Sequence, residues 1–159
     1  MTADNPMTGH CTCGVVRYAL HAPPLIVHAC HCLDCQRLTG SAFVINICIE
    51  RAAVELTEGE PASYEMIGPS GNPHAVHFCK ICGTQLWSRY DDARGDTLFV
   101  RAGTLERPDE VAPDVHIFTR SKQSWITLSG DSLVFETFYE LDEVWPPESL
   151  RRLHQVESK

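Results

Sequence analysis

The sequence predicts a mostly β protein with a short helix near its C-terminus. Short apolar runs with alternating side chains recur at near-regular spacing, and turns rich in glycine, proline, asparagine and aspartate separate them. The chain of 159 residues is long enough for a hydrophobic core, and no shift in composition marks a second domain. We therefore expect residues 1–159 to form one domain.

The first predicted strands lead into a cysteine-rich segment. Residues 14–22 (GVVRYALHA) alternate, so that Val16, Tyr18 and Leu20 share one face of a strand. Two prolines end this strand, and residues 25–29 (LIVHA) form a second strand that runs directly into the cysteines.

A short helix and the clearest strand of the chain follow. Residues 33–40 (LDCQRLTG) favour one or two helical turns that end at Gly40. Residues 42–50 (AFVINICIE) alternate throughout, which predicts a strand with two distinct faces. One face carries Phe43, Ile45, Ile47 and Ile49, and the other carries Val44, Asn46, Cys48 and Glu50.

The remaining elements are short and closely spaced. A segment that begins at Pro146 (PPESLRRLHQVE) predicts a helix over about 146–156, with Leu150 and Leu153 as its anchors. The other predicted strands are residues 54–58, 62–66, 74–78, 85–90, 97–103, 114–118 and 132–140, with loops at 68–73 and 91–96.

Charge and composition limit the function classes. The net charge is −8 and no cluster of basic residues provides the face that nucleic acids need, so we expect neither nucleic acid nor anionic membrane as a partner. A small anionic ligand remains compatible with local cations such as Arg37, Arg120 and Lys122. No apolar run approaches ~20 residues and the N-terminus has no secretory pattern, so we expect a cytoplasmic protein.

Two cysteine pairs predict one closed metal site. Because disulfides are rare in the cytoplasm, eight cysteines favour metal binding there. Cys11 and Cys13 form one pair, Cys79 and Cys82 form the other, and a glycine follows each pair. Such turns point two thiolates at one ion, so the two pairs together predict a four-sulfur structural zinc site.

A third group of cysteines has an odd number of members. Cys30, Cys32 and Cys35 can surround one ion but supply only three ligands, which is typical of catalytic rather than structural zinc. Cys48 lies in the middle of a predicted strand, where small buried cysteines are common, so a core role is favoured for it. His31 lies between two predicted ligands, so we expect its ring to point away from the metal. Three residues remain candidates to close the site: Cys48, His31 and His28.

Three thiolates favour one kind of chemistry. They donate strongly, so a bound water should be less acidic than at imidazole-rich zinc, where its pKa is about 7. Hydrolysis is therefore not the natural reaction. A thiol from outside is a better fourth ligand, since zinc binds it as a nucleophilic thiolate.

Five stretches resemble the family of glutathione-dependent formaldehyde-activating enzymes. They are GHCTCGVVRY, ACHCLDCQRLTGSAF, FCKICGTQLW, AGTL and HIFTRSKQSW, in this order from Gly9 to about Trp125. The resemblance, taken over about 9–138, implies a zinc-dependent "β-tent" of short antiparallel strands and two zinc ions per chain. It implies a structural zinc on Cys11, Cys13, Cys79 and Cys82, and a catalytic zinc on Cys30, Cys32 and Cys35.

The family resemblance also implies a reaction. Glutathione adds to formaldehyde and gives S-(hydroxymethyl)glutathione, in a carbon–sulfur lyase running in the synthetic direction. We expect a small thiol and a small aldehyde as substrates and a monomer or homodimer as the assembly. The alternative is a non-catalytic zinc-stabilised scaffold or binding module, in which a fourth protein ligand, most simply Cys48, closes the second site.

Four further residues are candidates near the second site. Arg37 could meet a carboxylate of the thiol substrate, and Ser41 could hydrogen-bond a thiolate. His116 could carry a proton to the product oxygen, although a core histidine is a close alternative. Trp125 is expected to pack rather than to stack on a ligand.

Overall fold

The computed structural model of the protein describes residues 6–68, 71–91, 95–128 and 132–157. Its helices are α1 (Leu33–Thr39), α2 (Leu141–Val144) and α3 (Pro147–Glu157), with 3-10 turns at Arg51–Ala53, Ala102–Thr104, Pro108–Glu110 and Thr119–Ser121. Its strands are β1 (Met7–His10), β2 (Arg17–Leu20), β3 (Ile26–Cys30), β4 (Val44–Glu50), β5 (Val54–Glu58), β6 (Ala62–Ile67), β7 (Pro73–Phe78), β8 (Gln85–Tyr90), β9 (Thr97–Arg101), β10 (Val115–Ile117) and β11 (Leu133–Val134). The predicted mostly β class is confirmed.

The strands form two sheets. A small sheet has the order β1-β2-β5, and a large one has the order β11-β10-β3-β4-β9-β8-β7-β6. Most neighbours are antiparallel, but β10 runs parallel to both β3 and β11. The prediction of antiparallel strands is therefore wrong for β10. The long connection from β3 to β10 permits a parallel pairing, which a tight hairpin cannot.

The main core lies between the two sheets. Val16, just before β2, and Tyr18 and Leu20 of β2 are buried in one core with Ile47 and Val100 of the large sheet. Each fully buried aliphatic side chain of this kind contributes about 1.5–3 kcal/mol. The large sheet thus packs one face against the small sheet and turns its other face away from it.

A second core covers that other face of the large sheet. The predicted C-terminal helix is confirmed as α3, which buries Leu153 there beside Trp145. Arg152 ties the helix to Glu50 of β4 through a hydrogen bond of 2.6 Å between Nη2 and Oε2. Cysteines of the sheet and of α1 belong to the same core, so α3 supports the face on which they lie.

The late predicted strand over 132–140 is mostly wrong. Only Leu133–Val134 pairs as a strand, and the following aromatic residues pack on the second core instead. Tyr139 shares hydrogen bonds with His28 (Oη to Nε2, 2.5 Å) and with Trp145, whose indole Nε1 donates to Oη at 2.9 Å. These bonds hold Tyr139 in the second core rather than in a strand. No described helix is long and apolar enough to cross a membrane.

Candidate metal centres

The first cluster joins the two predicted cysteine pairs. The sulfur atoms of Cys11, Cys13, Cys79 and Cys82 all lie within 4.8 Å of one another. The Cys11 and Cys13 sulfurs are 3.4 Å apart, and those of Cys13 and Cys79 are 3.7 Å apart. A tetrahedron with zinc–sulfur bonds of about 2.3 Å has edges of about 3.8 Å. The four sulfurs therefore fit one tetrahedral metal ion.

Two similar turns build this cluster. In the first, Gly14 adopts a φ of 76° and donates its N–H to the Cys11 carbonyl at 2.9 Å. In the second, Gly83 adopts a φ of 74° and donates to the Cys79 carbonyl at 2.8 Å. Glycine reaches positive φ without a steric penalty, so the glycine after each pair lets both sulfurs face the same point.

Thr84 connects the two turns. Its hydroxyl accepts from the Thr12 N–H at 3.1 Å and is 3.2 Å from the Cys82 sulfur. Hydrogen bonds from the Thr84 hydroxyl and backbone lower the pKa of Cys82 to about 5. This turn is thus suited to hold a thiolate.

The second cluster forms where β3 meets α1. The sulfurs of Cys30, Cys32 and Cys35 lie within 4.8 Å of one another. Cys30 ends β3, and Cys32 caps α1 by accepting the Cys35 N–H at 3.3 Å. The helix ends at Gly40, which adopts a φ of 63°, as predicted from the sequence.

The three sulfurs of the second cluster share their protons unequally. Hydrogen bonds from Cys30 and Cys35 lower the pKa of Cys32 to about 2. The hydrogen bonds with Cys32 and Cys35, followed by burial, raise the pKa of Cys30. For Cys35, the bond with Cys30 lowers the pKa, but the bond with Cys32 and burial bring it to about 12. These shifts favour a thiolate at Cys32, and a divalent cation would replace the remaining protons of the cluster.

Cys48 lies too far away to complete the second cluster. It is fully buried on β4, opposite Ile26, whereas Cys30 is opposite Val44. Four residues of strand separate these two positions, which is about 13 Å at about 3.3 Å per residue. Two cysteines bridged by one zinc span less than this, because the zinc–sulfur bonds are only about 2.3 Å long. Cys48 is a core residue of the second core.

The described residues supply no fourth ligand to the second cluster. The group of His, Cys, Asp and Glu side chains found there contains only the three cysteines. The ring of His31 is fully buried, and its Nε2 is hydrogen-bonded to Nδ1 of His116 at 3.0 Å. His28 is bound to Tyr139. The second cluster therefore differs from the first in the number of its ligands.

His116 lies beside the second cluster but on a different face of the sheet. Its strand pairs with β3 so that Ile117 is next to Cys30 and His116 is next to Ala29. Since alternate residues face opposite ways, His116 reaches the cluster through His31 rather than directly. Burial, followed by the charges of His116 and Lys122, lowers the pKa of His31 to about 4, and burial lowers that of His116. Both rings are therefore neutral near pH 7.

Two other predicted residues lie in or just after α1, and a third, Trp125, follows β10 in the chain. Arg37 is exposed and pairs with Asp34 at 3.5 Å. The Ser41 hydroxyl donates to the Phe43 carbonyl at 2.5 Å, so it serves the turn after the helix. The side chain of Trp125 is 73% exposed, and the expectation that it packs is wrong.

Sequence reasoning missed several polar residues near the second cluster. Gln36 of α1 donates to the carbonyls of His31 (2.7 Å) and Ser121 (2.9 Å), and so locks the helix to the segment after β10. Arg101 is a buried cation at the end of β9. A charged residue that ends an otherwise apolar strand was the available signal, but local alternation does not indicate its neighbours.

Comparisons with known proteins identify a family and a similar fold. The family model described as "Glutathione-dependent formaldehyde-activating enzyme" matches residues 6–121. A crystal structure of a Rhodobacter sphaeroides protein is similar to this chain with a TM-score of 0.50 and 23% identity, over 67% of this chain and 92% of that one. At this identity the similarity concerns the fold alone. No curated protein matches the chain.

Proposed function

Because the chain belongs to the glutathione-dependent formaldehyde-activating enzyme family, we propose that it is a zinc-dependent enzyme of the carbon–sulfur lyase type. It adds a thiol, glutathione or a similar molecule, to formaldehyde or a related small aldehyde. The second cluster carries this proposal, since the described residues bring three sulfur atoms together there and no fourth ligand. Catalytic zinc sites keep a position open for substrate, whereas structural sites have four protein ligands.

The donor set determines which substrate suits the second cluster. Cys30, Cys32 and Cys35 would hold the zinc ion as thiolates. Zinc held in this way supplies an open position that favours a soft, deprotonated sulfur. Strong donation by three thiolates weakens Lewis acidity, so thiol addition fits these ligands better than hydrolysis.

The proposed reaction is the addition of a thiol across a carbonyl group. The substrate sulfur bonds to the carbonyl carbon, the π electrons of the C=O bond move to oxygen, and the proton of the thiol ends on that oxygen. We assign the proton transfer to His116, which would act through the ring of His31 because it lies on the other face of the sheet. Its support is the hydrogen bond to His31, whose backbone lies between Cys30 and Cys32.

Substrate contacts are proposed at the exposed side of α1. Arg37 is two residues after Cys35, and its guanidinium is free to exchange partners because the surface pair with Asp34 is weak. A carboxylate of an anionic thiol such as glutathione can form a bidentate pair with a guanidinium, which the single 3.5 Å contact with Asp34 does not. Ser41 remains a candidate contact at the end of the same helix.

The alternative of a non-catalytic scaffold is less well supported. It requires a protein ligand that closes the second cluster, and Cys48 was its main candidate. The register of β3 and β4 places Cys48 opposite Ile26, about 13 Å along the sheet from Cys30. We therefore favour the enzyme.

Exchange NMR spectroscopy on a mixture of thiol and formaldehyde tests the proposed function. Wild-type protein at micromolar concentration should accelerate exchange between the free thiol and its hydroxymethyl adduct above the spontaneous rate. The Cys32→Ser variant, shown to be folded by circular dichroism, is the matched control and should return the rate to baseline. No acceleration by zinc-loaded wild type with any small thiol would contradict the proposal.

A further inference from the structure

Arg101 is a buried charge with no acidic partner among the residues that the structure describes. Its side chain is only 5% exposed at the end of β9. Its Nη1 donates to the Asn46 amide oxygen, but its Nε has no hydrogen-bond partner among the described residues. None of the ion pairs between described residues involves the Arg101 guanidinium. A buried charge without a partner is strongly unfavourable, so an anion is expected nearby.

The sheet places this guanidinium beside the second cluster. Arg101 pairs with Asn46, and Asn46 is two residues beyond Val44, which pairs with Cys30. Paired residues and residues two apart on one strand point to the same face, so Arg101, Asn46 and Cys30 share a face. Diagonal neighbours on a face are about 7–8 Å apart. Asn46 is therefore one diagonal step from Cys30, and the Arg101 guanidinium, which is hydrogen-bonded to the Asn46 side chain, lies on the same face.

The charges of the two clusters differ in a way that matches this arrangement. Four thiolates and one divalent ion carry two negative charges at the first cluster, where exposed Cys13 and Cys82 let water compensate them. Three thiolates and one divalent ion carry a single negative charge at the second cluster, where Cys30 and Cys35 are buried. One buried guanidinium neutralises that single charge.

We propose that Arg101 is the counter-charge of the second cluster: it strengthens the hold of the three cysteines on a divalent metal and on a further thiolate from the substrate. The substrate part of this inference rests on the proposed function, whereas the metal part does not. Arg101 acts through the cysteines, so it is a positioning residue rather than a catalytic one.

The expected size of the effect follows from the separation. One unit charge about 8 Å from another, at an effective dielectric constant of about 20, changes an equilibrium constant by about 30-fold. Removing the charge of Arg101 should therefore weaken zinc binding at the second cluster by about 30-fold. The affinity for a substrate thiolate should fall by a similar factor.

Chelator competition on the full chain, loaded with two zinc ions, measures the metal part directly. The Cys32→Ser variant identifies which zinc ion belongs to the second cluster, and the first cluster is an internal reference in every variant. In Arg101→Gln the second zinc should be lost at about 30-fold lower chelator concentration, while the first is unchanged. Arg101→Lys, which keeps the charge, should retain most of the wild-type affinity. Arg89→Gln, at an exposed arginine of the neighbouring strand β8, should behave as wild type.

A second variant covers the case in which Arg101→Gln does not fold. Asn46→Asp is nearly isosteric and gives the guanidinium a carboxylate partner, so it should weaken the second zinc as the loss of Arg101 does. Unchanged retention of the second zinc in either variant, or equal loss from both clusters, would overturn the inference. If wild type holds two zinc ions and Arg101→Gln does as well, the inference fails alone. If wild type holds only one, the proposed function fails with it.

Discussion

The replacement Cys79→Ser should destabilise the whole fold, because Cys79 is fully buried and is one of the four predicted zinc ligands of the first cluster. This cluster links the turn between β1 and β2 to the turn between β7 and β8, and hence the small sheet to the large one. Structural zinc sites contribute about 10–16 kcal/mol to folding, so one of four thiolates accounts for roughly 3 kcal/mol. In a domain of this size that loss lowers the melting temperature by about 10 °C.

The assay is thermal unfolding of the zinc-loaded protein, followed by circular dichroism, with Cys32→Ser as the comparison. Cys32 belongs to the second cluster, which lies at the end of one strand and does not join the two sheets. Its replacement should lower the melting temperature by much less than that of Cys79 and should abolish activity. Equal melting temperatures for the two variants, or a larger drop for Cys32→Ser, would refute the assignment of a structural role to the first cluster and a catalytic role to the second.

Three further predictions concern the second cluster and its support. Cys48→Ala should keep both zinc ions and the activity at a cost of about 1 kcal/mol in unfolding free energy; loss of the second zinc by metal analysis would show that Cys48 is a ligand after all. His116→Gln should reduce the catalysed component of the exchange rate by about 100-fold with zinc content unchanged, and an unaltered rate would remove His116 from the mechanism. Leu153→Ala should lower the free energy of urea unfolding by about 2–5 kcal/mol, because Leu153 anchors α3 on the second core; a value below 1 kcal/mol would mean that α3 is not needed for the fold.

Local sequence patterns were sufficient for most elements and for both cysteine clusters. The strands at 54–58 and 85–90 match their predicted bounds, because alternation and turn residues are short-range signals. The cysteine groups could be predicted for the same reason, since spacing and a following glycine determine the turn that carries each pair. The roles of these cysteines as zinc ligands stay predictions.

Long-range pairing could not be predicted. Alternation assigns Cys48 to a face of β4, but only the register with β3 shows how far it lies from Cys30. The parallel strand β10, which brings His116 next to His31, is likewise set by a contact between residues 85 positions apart. The sequence did not indicate a role for Arg101, because that role depends on its neighbours on other strands and not on its own segment.

We propose that four sulfurs close the first cluster around its metal and that the second cluster is open for a substrate thiol. X-ray absorption at the zinc edge counts sulfur ligands directly. With two zinc ions bound and no thiol present, four and three cysteines should give an average of about 3.5 sulfur atoms per zinc ion, rising to about 4 when glutathione is added. An average of four without thiol, or no increase on adding it, would show that the second cluster has no open position for a thiol.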